Sequence, residues 1–296
     1  ALLGATFFFL GKTLIANWQE VKALELQPQA WLYGSGALAI AIAAQVWIAI
    51  IWGWILETLQ NPVPRCWSIA TSLKYAPAKY IPGNIWHMVG RFRAAQDKGI
   101  GLESVTLSLL LEPLLIIGGA LVLALLNRAY PGPKLLVLGS ILIGLHPWGI
   151  NQLWRGYRKF QGKTADDTGM QRYPLRELAG ATAFMLLRSL TFLCAILAFT
   201  PLPWEAIPSL VGGFSLAWVL SLVTPVPAGL GVFEASAIAM LDGYFSAAVL
   251  LGAVALYRLV SILAEAIGAG LAYGFKEAPS APVAEITPEP EQVALG

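Results

Sequence analysis

The stretch that most constrains the fold of this chain is Pro225–Glu234, which reads Pro-Val-Pro-Ala-Gly-Leu-Gly-Val-Phe-Glu. It lies in a region apolar enough to be membrane, yet it carries four helix-breaking residues, namely Pro225, Pro227, Gly229 and Gly231. Because unpaired backbone groups are costly in lipid, such a break survives only where protein buries it or where it lines a wet cavity. The sequence therefore predicts a broken helix at this point.

Glu234, at the end of this stretch, has two interpretations. An acid beside a helix break within the bilayer is a candidate functional residue. Alternatively, Glu234 caps the half-helix that starts near Gly231, because negative charge stabilises the positive end of a helix dipole. The stretch alone does not decide between them.

The composition places this break in a membrane protein. Of the 296 residues, 57% are hydrophobic and 12% are charged, whereas a soluble domain has roughly 25% charged residues. We therefore predict an all-α, polytopic membrane domain over residues 1–275. The remainder, residues 276–296, is rich in Pro, Glu and Ala and is predicted to be a disordered tail. A net charge of +2 gives no indication of a nucleic-acid partner.

About six apolar stretches are predicted to span the membrane, since about 20 residues suffice for a helix to cross the hydrocarbon core. In chain order they are Ala1–Asn17, Trp31–Leu56, Leu102–Leu126, Lys134–Ile150, Glu177–Phe199 and Phe245–Tyr273.

The region Asn61–Gly101 is predicted to form a helical hairpin that enters the membrane from the cytoplasmic side. It contains six basic residues and a single acid, Asp97, so its ends are expected in the cytoplasm. Parts of it are nevertheless too apolar for a free loop, and Pro82-Gly83 is a turn signal that marks the tip. An amphipathic helix lying on the membrane surface remains an alternative.

The order of spans and hairpins predicts an inverted repeat. A second basic loop at Asn151–Arg176 follows two spans later and is also expected in the cytoplasm. With a cytoplasmic N-terminus, Ile207–Asp242 becomes a second hairpin that enters from outside, and the C-terminus returns to the cytoplasm. This is an inverted 3+3 arrangement of residues 1–127 and 134–273, which in transporters places the site where the broken helices meet. A chance alignment of Pro, Gly and charged positions is the alternative.

Five charged residues fall near the middle of the predicted bilayer, as judged from a rise of about 1.5 Å per helical residue and a core about 30 Å thick. They are Arg91, Glu112, Arg188, Glu234 and Arg258. Charges at such depth pair or face water, so we predict a central polar cavity with one surplus cation, suited to an anionic group such as a lipid phosphate. Lys74, Lys79 and Glu265 are secondary candidates. Alternatively, the charges form pairs that only lock the helices together.

Two motifs resemble the membrane region of the lysylphosphatidylglycerol synthase family. Lys79–Arg91, which reads Lys-Tyr-Ile-Pro-Gly-Asn-Ile-Trp-His-Met-Val-Gly-Arg, is similar to that family's lysine, proline-glycine and arginine motif. Pro225–Glu234, followed by Arg258, is similar to its second motif. The resemblance covers most of residues 65–273. It implies an integral membrane protein tied to translocation of a lipid or lipid-linked glycan, as the fused bacterial enzymes flip aminoacylated phosphatidylglycerol.

We therefore expect a transporter of the lipid-flippase type in a bacterial cytoplasmic membrane. Its partners would be membrane lipids, namely an anionic or aminoacylated phospholipid or a lipid-linked glycan, and a homodimer is an open possibility. No soluble aminoacyl-transferase domain follows Tyr273 in this sequence, so we do not expect synthesis of an aminoacyl lipid. The alternatives are a membrane-embedded headgroup transferase with Glu112 or Glu234 as general base, and a regulatory or structural partner of a lipid or glycan synthesis enzyme.

Residues typical of catalysis or metal binding are scarce. His87 and His146 are the two histidines and have no metal-ligand spacing, and Cys66 and Cys194 form no recognisable motif. We therefore predict no catalytic residue, no metal and no cofactor.

Overall fold

The computed structural model describes residues 26–81, 85–127, 131–160, 170–224, 231–241 and 243–274. Within these ranges the chain forms ten α-helices and one 3-10 helix and no strand, which confirms the all-α prediction for this part. The helices are α1 Ala30–Thr58, α2 Arg65–Tyr75, the 3-10 helix Ala76–Tyr80, α3 Trp86–Asp97, α4 Leu102–Ala124, α5 Pro131–Gly144, α6 Pro147–Phe160, α7 Leu175–Leu197, α8 Ala206–Val223, α9 Val232–Leu241 and α10 Ala247–Gly274.

Several predicted features lie outside the described residues. They are the first span at Ala1–Asn17, the tail at 276–296, and the hairpin breaks Pro82, Gly83, Pro225, Pro227 and Gly229. Gly231, the last predicted break, is described and has a φ of 81°. Glycine adopts this left-handed conformation without the steric cost that other residues meet, and α9 begins at the next residue.

Five helices, α1, α4, α7, α8 and α10, are long and apolar enough to cross a membrane. They contain 18 to 29 residues, which corresponds to about 27–44 Å at 1.5 Å per residue, against a hydrocarbon core of about 30 Å. They also expose large apolar side chains, for example Leu259, Ile262 and Leu263 on α10. These helices indicate an integral membrane protein.

The region predicted as one span at Lys134–Ile150 is instead divided between two helices. α5 ends at Gly144, and α6 begins at Pro147. Pro147 has no backbone N–H to donate to a preceding turn and is well suited to the first position of a new helix. With 14 residues, α5 is about 21 Å long, shorter than the core. The count of about six spans therefore stays a prediction.

The two regions predicted as hairpins each contain two helices that pack against one another. The first hairpin, residues 65–97, consists of α2, the 3-10 helix and α3, and its α-helices have 11 and 12 residues. The second hairpin, residues 206–241, consists of α8 and α9. In the first hairpin the helices approach closely, since a Cβ on Gly90 would lie 2.2 Å from the ring of Tyr75.

The helices are arranged around a central pair, α1 and α7, which pack along one another. α4 packs on α7 and α10 packs on α1, while the first hairpin rests on α10 and the second on α4. Glycines allow two of these contacts to be close. A Cβ on Gly119 of α4 would lie 2.6 Å from the backbone nitrogen of Thr182 on α7. A Cβ on Gly212 of α8 would lie 2.5 Å from the backbone nitrogen of Asn127, which follows α4.

Candidate functional site

A cavity of about 350 Å³ lies among the helices, and every described helix except α5 and α6 contributes to its wall. Four cationic side chains reach the wall: Lys79, Arg91, Arg188 and Arg258. Of the predicted acids, Glu112 also lines the cavity. Glu234 is not part of the wall but is bonded to Arg258, which is. The five residues predicted from the sequence thus lie at or directly beside one cavity.

Arg91 on α3 and Glu112 on α4 form a bidentate ion pair. One guanidinium nitrogen, Nη1, donates to Glu112 Oε1 at 3.0 Å, and Nη2 donates to Oε2. The guanidinium carbon also lies 4.2 Å from the ring centre of Trp52 on α1, an arrangement that stabilises a cation against an aromatic face. Paired hydrogen bonds between a guanidinium and a carboxylate are strong and also fix the orientation of the two groups. Glu112 and Trp52 therefore hold the Arg91 side chain from two sides.

Glu234 and Arg258 form a second ion pair, between α9 and α10. Arg258 Nε donates to Glu234 Oε1 at 2.6 Å, and the other oxygen, Oε2, accepts the backbone N–H of Gly231 at 2.6 Å. Glu234 therefore caps the start of α9 and also pairs with a cation in the cavity wall. The capping interpretation of Glu234 agrees with this geometry, while its role as a functional residue stays a prediction.

Lys79 and Glu265 form a third pair, between the 3-10 helix and α10. Lys79 Nζ lies 2.5 Å from Glu265 Oε1, and Gln45 Nε2 on α1 donates to the same oxygen at 3.0 Å. Glu265 is only 1% exposed. The third secondary candidate, Lys74, is not in the wall, and its Nζ lies 5.7 Å from the ring centre of Tyr273.

Arg188 on α7 differs from these three cations. It is 8% exposed, and within the described part of the chain no carboxylate lies within 4.0 Å of it. Its guanidinium carbon instead lies 4.8 Å from the ring centre of Tyr257. With four cations against Glu112, Glu234 and Glu265, the described site has one surplus positive charge, and Arg188 carries it.

The cavity wall also contains buried polar atoms that have no hydrogen-bond partner among the described residues. They include Ser72 Oγ, His87 Nδ1 and Arg91 Nε. Buried polar groups in proteins are nearly always bonded, so a polar ligand that entered this cavity would find donors and acceptors already in place.

A cluster of aromatic side chains lies beside Arg188, which contacts the ring of Tyr257. Phe192, Phe214, Phe233 and Tyr257 come from four different helices, and their ring centres lie 5.2–6.1 Å apart in mutual contact. Such edge-to-face and stacked contacts stabilise beyond the burial of area. They hold α7, α8, α9 and α10 together next to the unpaired guanidinium.

Sequence reasoning missed Gln45 and Tyr257 as members of the site. Gln45 was detectable, because it is a polar residue in the middle of the long apolar helix α1. Tyr257 precedes Arg258 directly, but tyrosine in an apolar helix is too common to indicate a site.

Comparison with known proteins gives no relative, since no family model matches the chain and no curated protein is similar to it. Function must therefore be inferred from the site itself.

Proposed function

We propose that this protein is a membrane transporter of the lipid-flippase type, which moves a lipid or lipid-linked substrate with an anionic headgroup between leaflets through the central cavity. The observation that carries the proposal is the surplus positive charge at Arg188. An unpaired buried cation is costly, and an anionic phosphate that enters the cavity would offset this cost with charge-assisted hydrogen bonds.

The size and opening of the cavity suit a headgroup with its acyl chains left outside. A volume of about 350 Å³ falls within the range of about 300–1,000 Å³ found for ligand sites. Leu222 and Ile262 line the cavity and are also substantially exposed. An apolar rim beside a charged interior fits a substrate that is polar at one end and apolar at the other.

The inverted 3+3 repeat is part of this proposal, and helix packing supports it. In this repeat, α1, α2, α3 and α4 correspond in order to α7, α8, α9 and α10. The contact of α4 with α7 then corresponds to that of α10 with α1, and the contact of the first hairpin with α10 corresponds to that of the second hairpin with α4. The pair Arg91–Glu112 joins α3 to α4, and the pair Glu234–Arg258 joins α9 to α10 with the charges exchanged. Inverted repeats allow two halves to rock about a fixed central site, which gives access from alternate sides.

A relationship to the lysylphosphatidylglycerol synthase membrane region is proposed on the same residues. Lys79 and Arg91 of the first motif, and Glu234 and Arg258 of the second, all take part in ion pairs at the cavity. We further propose that the protein lies in a bacterial cytoplasmic membrane, with both termini in the cytoplasm and with two re-entrant hairpins.

The alternatives fit the site less well. A transferase needs a carboxylate free to accept a proton, but both oxygens of Glu112 are bonded to Arg91, and both oxygens of Glu234 are bonded to Arg258 and Gly231. A purely structural charge lock explains the three ion pairs. It does not explain why a fourth cation, Arg188, is buried with no carboxylate within 4.0 Å among the described residues.

The proposal is tested with purified protein in phosphatidylcholine vesicles that carry a trace of fluorescent phosphatidylglycerol or fluorescent phosphatidylcholine. Reduction of the outer-leaflet dye by dithionite measures how fast the inner-leaflet label becomes accessible. We expect the protein to accelerate movement of the anionic label well above that of the zwitterionic label. Equal rates for both labels, or rates no higher than in empty vesicles, would contradict the proposal.

A further inference from the structure

The first hairpin brings to the cavity three buried polar atoms that have no hydrogen-bond partner among the described residues. They are Ser72 Oγ on α2 and His87 Nδ1 and Arg91 Nε on α3, and all three residues line the cavity. A buried polar atom without a partner costs free energy. A ligand that bonds these atoms would remove that cost.

The serine and threonine hydroxyls elsewhere in the described wall are already bonded. Ser221 on α8, Thr224 at the end of α8 and Ser261 on α10 each donate to a backbone carbonyl of their own helix, at 2.6–2.7 Å. A helical serine or threonine commonly makes this bond, and Ser72 makes none. The part of the wall that offers unbonded hydrogen-bonding atoms of this kind therefore belongs to the first hairpin.

The first hairpin holds these three atoms in one region of the wall. His87 and Arg91 are four residues apart on α3, so they share a helix face, and their Cβ atoms are separated by about 5–6 Å. On α2, the ring of Tyr75 lies one turn beyond Ser72 and packs against Gly90, the residue before Arg91. A group the size of a glycerol or a sugar ring can bond more than one atom over such a distance.

The chemistry of the three atoms matches a hydroxyl group. Ser72 Oγ donates or accepts, His87 Nδ1 in the neutral imidazole donates or accepts according to its tautomer, and Arg91 Nε only donates. A hydroxyl group both donates and accepts, so it can pair with each of them. An ammonium group only donates, so it cannot bond Arg91 Nε.

The charge of the cavity also disfavours an amino group on the headgroup. Four cations and three carboxylates give the described site a net charge of +1, which a singly charged phosphodiester neutralises. An ammonium group on the same headgroup would restore the positive charge and lie close to like charges, which repel it. A neutral polar group meets no such repulsion.

We propose that the first hairpin forms a subsite for headgroup hydroxyls, and that the substrate is a lipid phosphodiester with a neutral polyhydroxyl headgroup such as a glycerol or a sugar. This inference rests on the proposed function. Arg188 binds the phosphate, while Ser72 and His87 bond the hydroxyls of the headgroup. Lipids with an amino group on the headgroup, including aminoacylated phospholipids, are poor substrates.

Headgroup preference is measured with the full chain in phosphatidylcholine vesicles that carry a trace of one fluorescent lipid. The anionic labels are phosphatidylglycerol, phosphatidylinositol and phosphatidylpropanol, and the last has the charge and nearly the size of phosphatidylglycerol but lacks both hydroxyls. The ratio of initial rates for trace labels gives the ratio of their kcat/KM values. We expect phosphatidylglycerol, phosphatidylinositol or both to move at least about fivefold faster than phosphatidylpropanol, since each hydrogen bond contributes about two- to tenfold. Fluorescent lysylphosphatidylglycerol should move no faster than phosphatidylpropanol.

The residues of the subsite are tested with Ser72→Ala and His87→Phe. Each should slow the preferred label about two- to tenfold and leave the rate of phosphatidylpropanol unchanged. The melting temperature should not fall, because neither change breaks a hydrogen bond of the described structure. Ser221→Ala is the matched control: its hydroxyl is in the wall but is bonded to the carbonyl of Trp218, so the preference should persist.

The outcomes separate this inference from the proposed function. Wild-type protein that moves phosphatidylpropanol as fast as both hydroxylated labels, or that moves lysylphosphatidylglycerol faster than any of them, overturns the inference, and this comparison needs no variant. A preference that persists in both variants overturns it too, as does equal slowing of all anionic labels, which would place the phosphate at the first hairpin. In each of these cases the proposed function stands if anionic labels still move faster than phosphatidylcholine. Movement of no anionic label above the rate in empty vesicles contradicts the proposed function and the inference with it.

Discussion

The four cations at the cavity differ in the groups that stabilise each charge. Arg91 has a bidentate carboxylate and an aromatic face, Arg258 has a helix-capping carboxylate, and Lys79 shares its carboxylate with Gln45. Arg188 has an aromatic ring and no carboxylate in the described structure. The three pairs therefore place paired charges at the cavity, and we propose that Arg188 provides the charge that binds the headgroup.

The pair Glu234–Arg258 allows structural and functional roles to be separated. We expect Glu234→Gln and Arg258→Met each to lower the melting temperature, because each removes one ion of a partly buried pair. The cost is about 3 kcal/mol at most, since the Arg258 side chain is 25% exposed. The double mutant should recover part of that stability but not lipid flipping, because the wall has lost a cation. Recovery of both stability and flipping by the double mutant would favour a charge lock.

The sequence predicted which charges lie at the site better than it predicted their partners. Depth within an apolar run predicted a shared cavity for Arg91, Glu112, Arg188, Glu234 and Arg258, and the structure brings these five side chains to or beside one cavity. It could not show that Lys79 pairs with Glu265, since 186 residues separate them and only the packing of the first hairpin on α10 brings them together.

At the scale of helices, close backbone approach holds the two halves of the molecule together. α4 meets α7 at Gly119, where any side chain would meet backbone atoms rather than a side chain that could move. In membranes, small residues allow this kind of approach, and packing replaces the hydrophobic effect as the driving force for association.

Gly119→Ala should therefore lower the melting temperature of the purified protein. The added Cβ would lie 2.6–2.8 Å from backbone atoms of Ala181 and Thr182, and overpacking of this kind costs about 1–3 kcal/mol. Gly36→Ala on α1 is the matched control, since nothing lies within 4 Å of its added Cβ. It should leave stability unchanged or raise it slightly, because alanine favours helix. Equal melting temperatures for the two variants would show that α4 and α7 are less closely packed than described.

The boundaries of elements were less predictable than their existence. Long apolar runs identified α1, α4, α7 and α10 to within a few residues at most ends. The run Lys134–Ile150 was predicted as one span because its apolar content continues across Pro147, where a new helix begins. Composition alone does not report such an interruption when the residues on both sides are apolar.

At the scale of the whole molecule, two sets of four helices surround one charged cavity, and each set contributes a hairpin and an ion pair to it. In the inverted repeat that we propose, the two sets would rock about this site and open it to alternate sides of the membrane. The central claim is that an anionic headgroup crosses the membrane through this cavity and is held there by Arg188.

The most direct test of this claim is to measure flipping of fluorescent phosphatidylglycerol and the melting temperature together for Arg188→Gln. Because no carboxylate depends on Arg188 within the described structure, its replacement leaves no acid unpaired, and the melting temperature should stay at or above that of the wild type. Flipping should fall at least about tenfold, as expected for loss of a charge-assisted contact worth about 1.5–3 kcal/mol. Arg172→Gln, at an exposed arginine, should change neither quantity. Wild-type flipping by a stable Arg188→Gln protein would contradict the account.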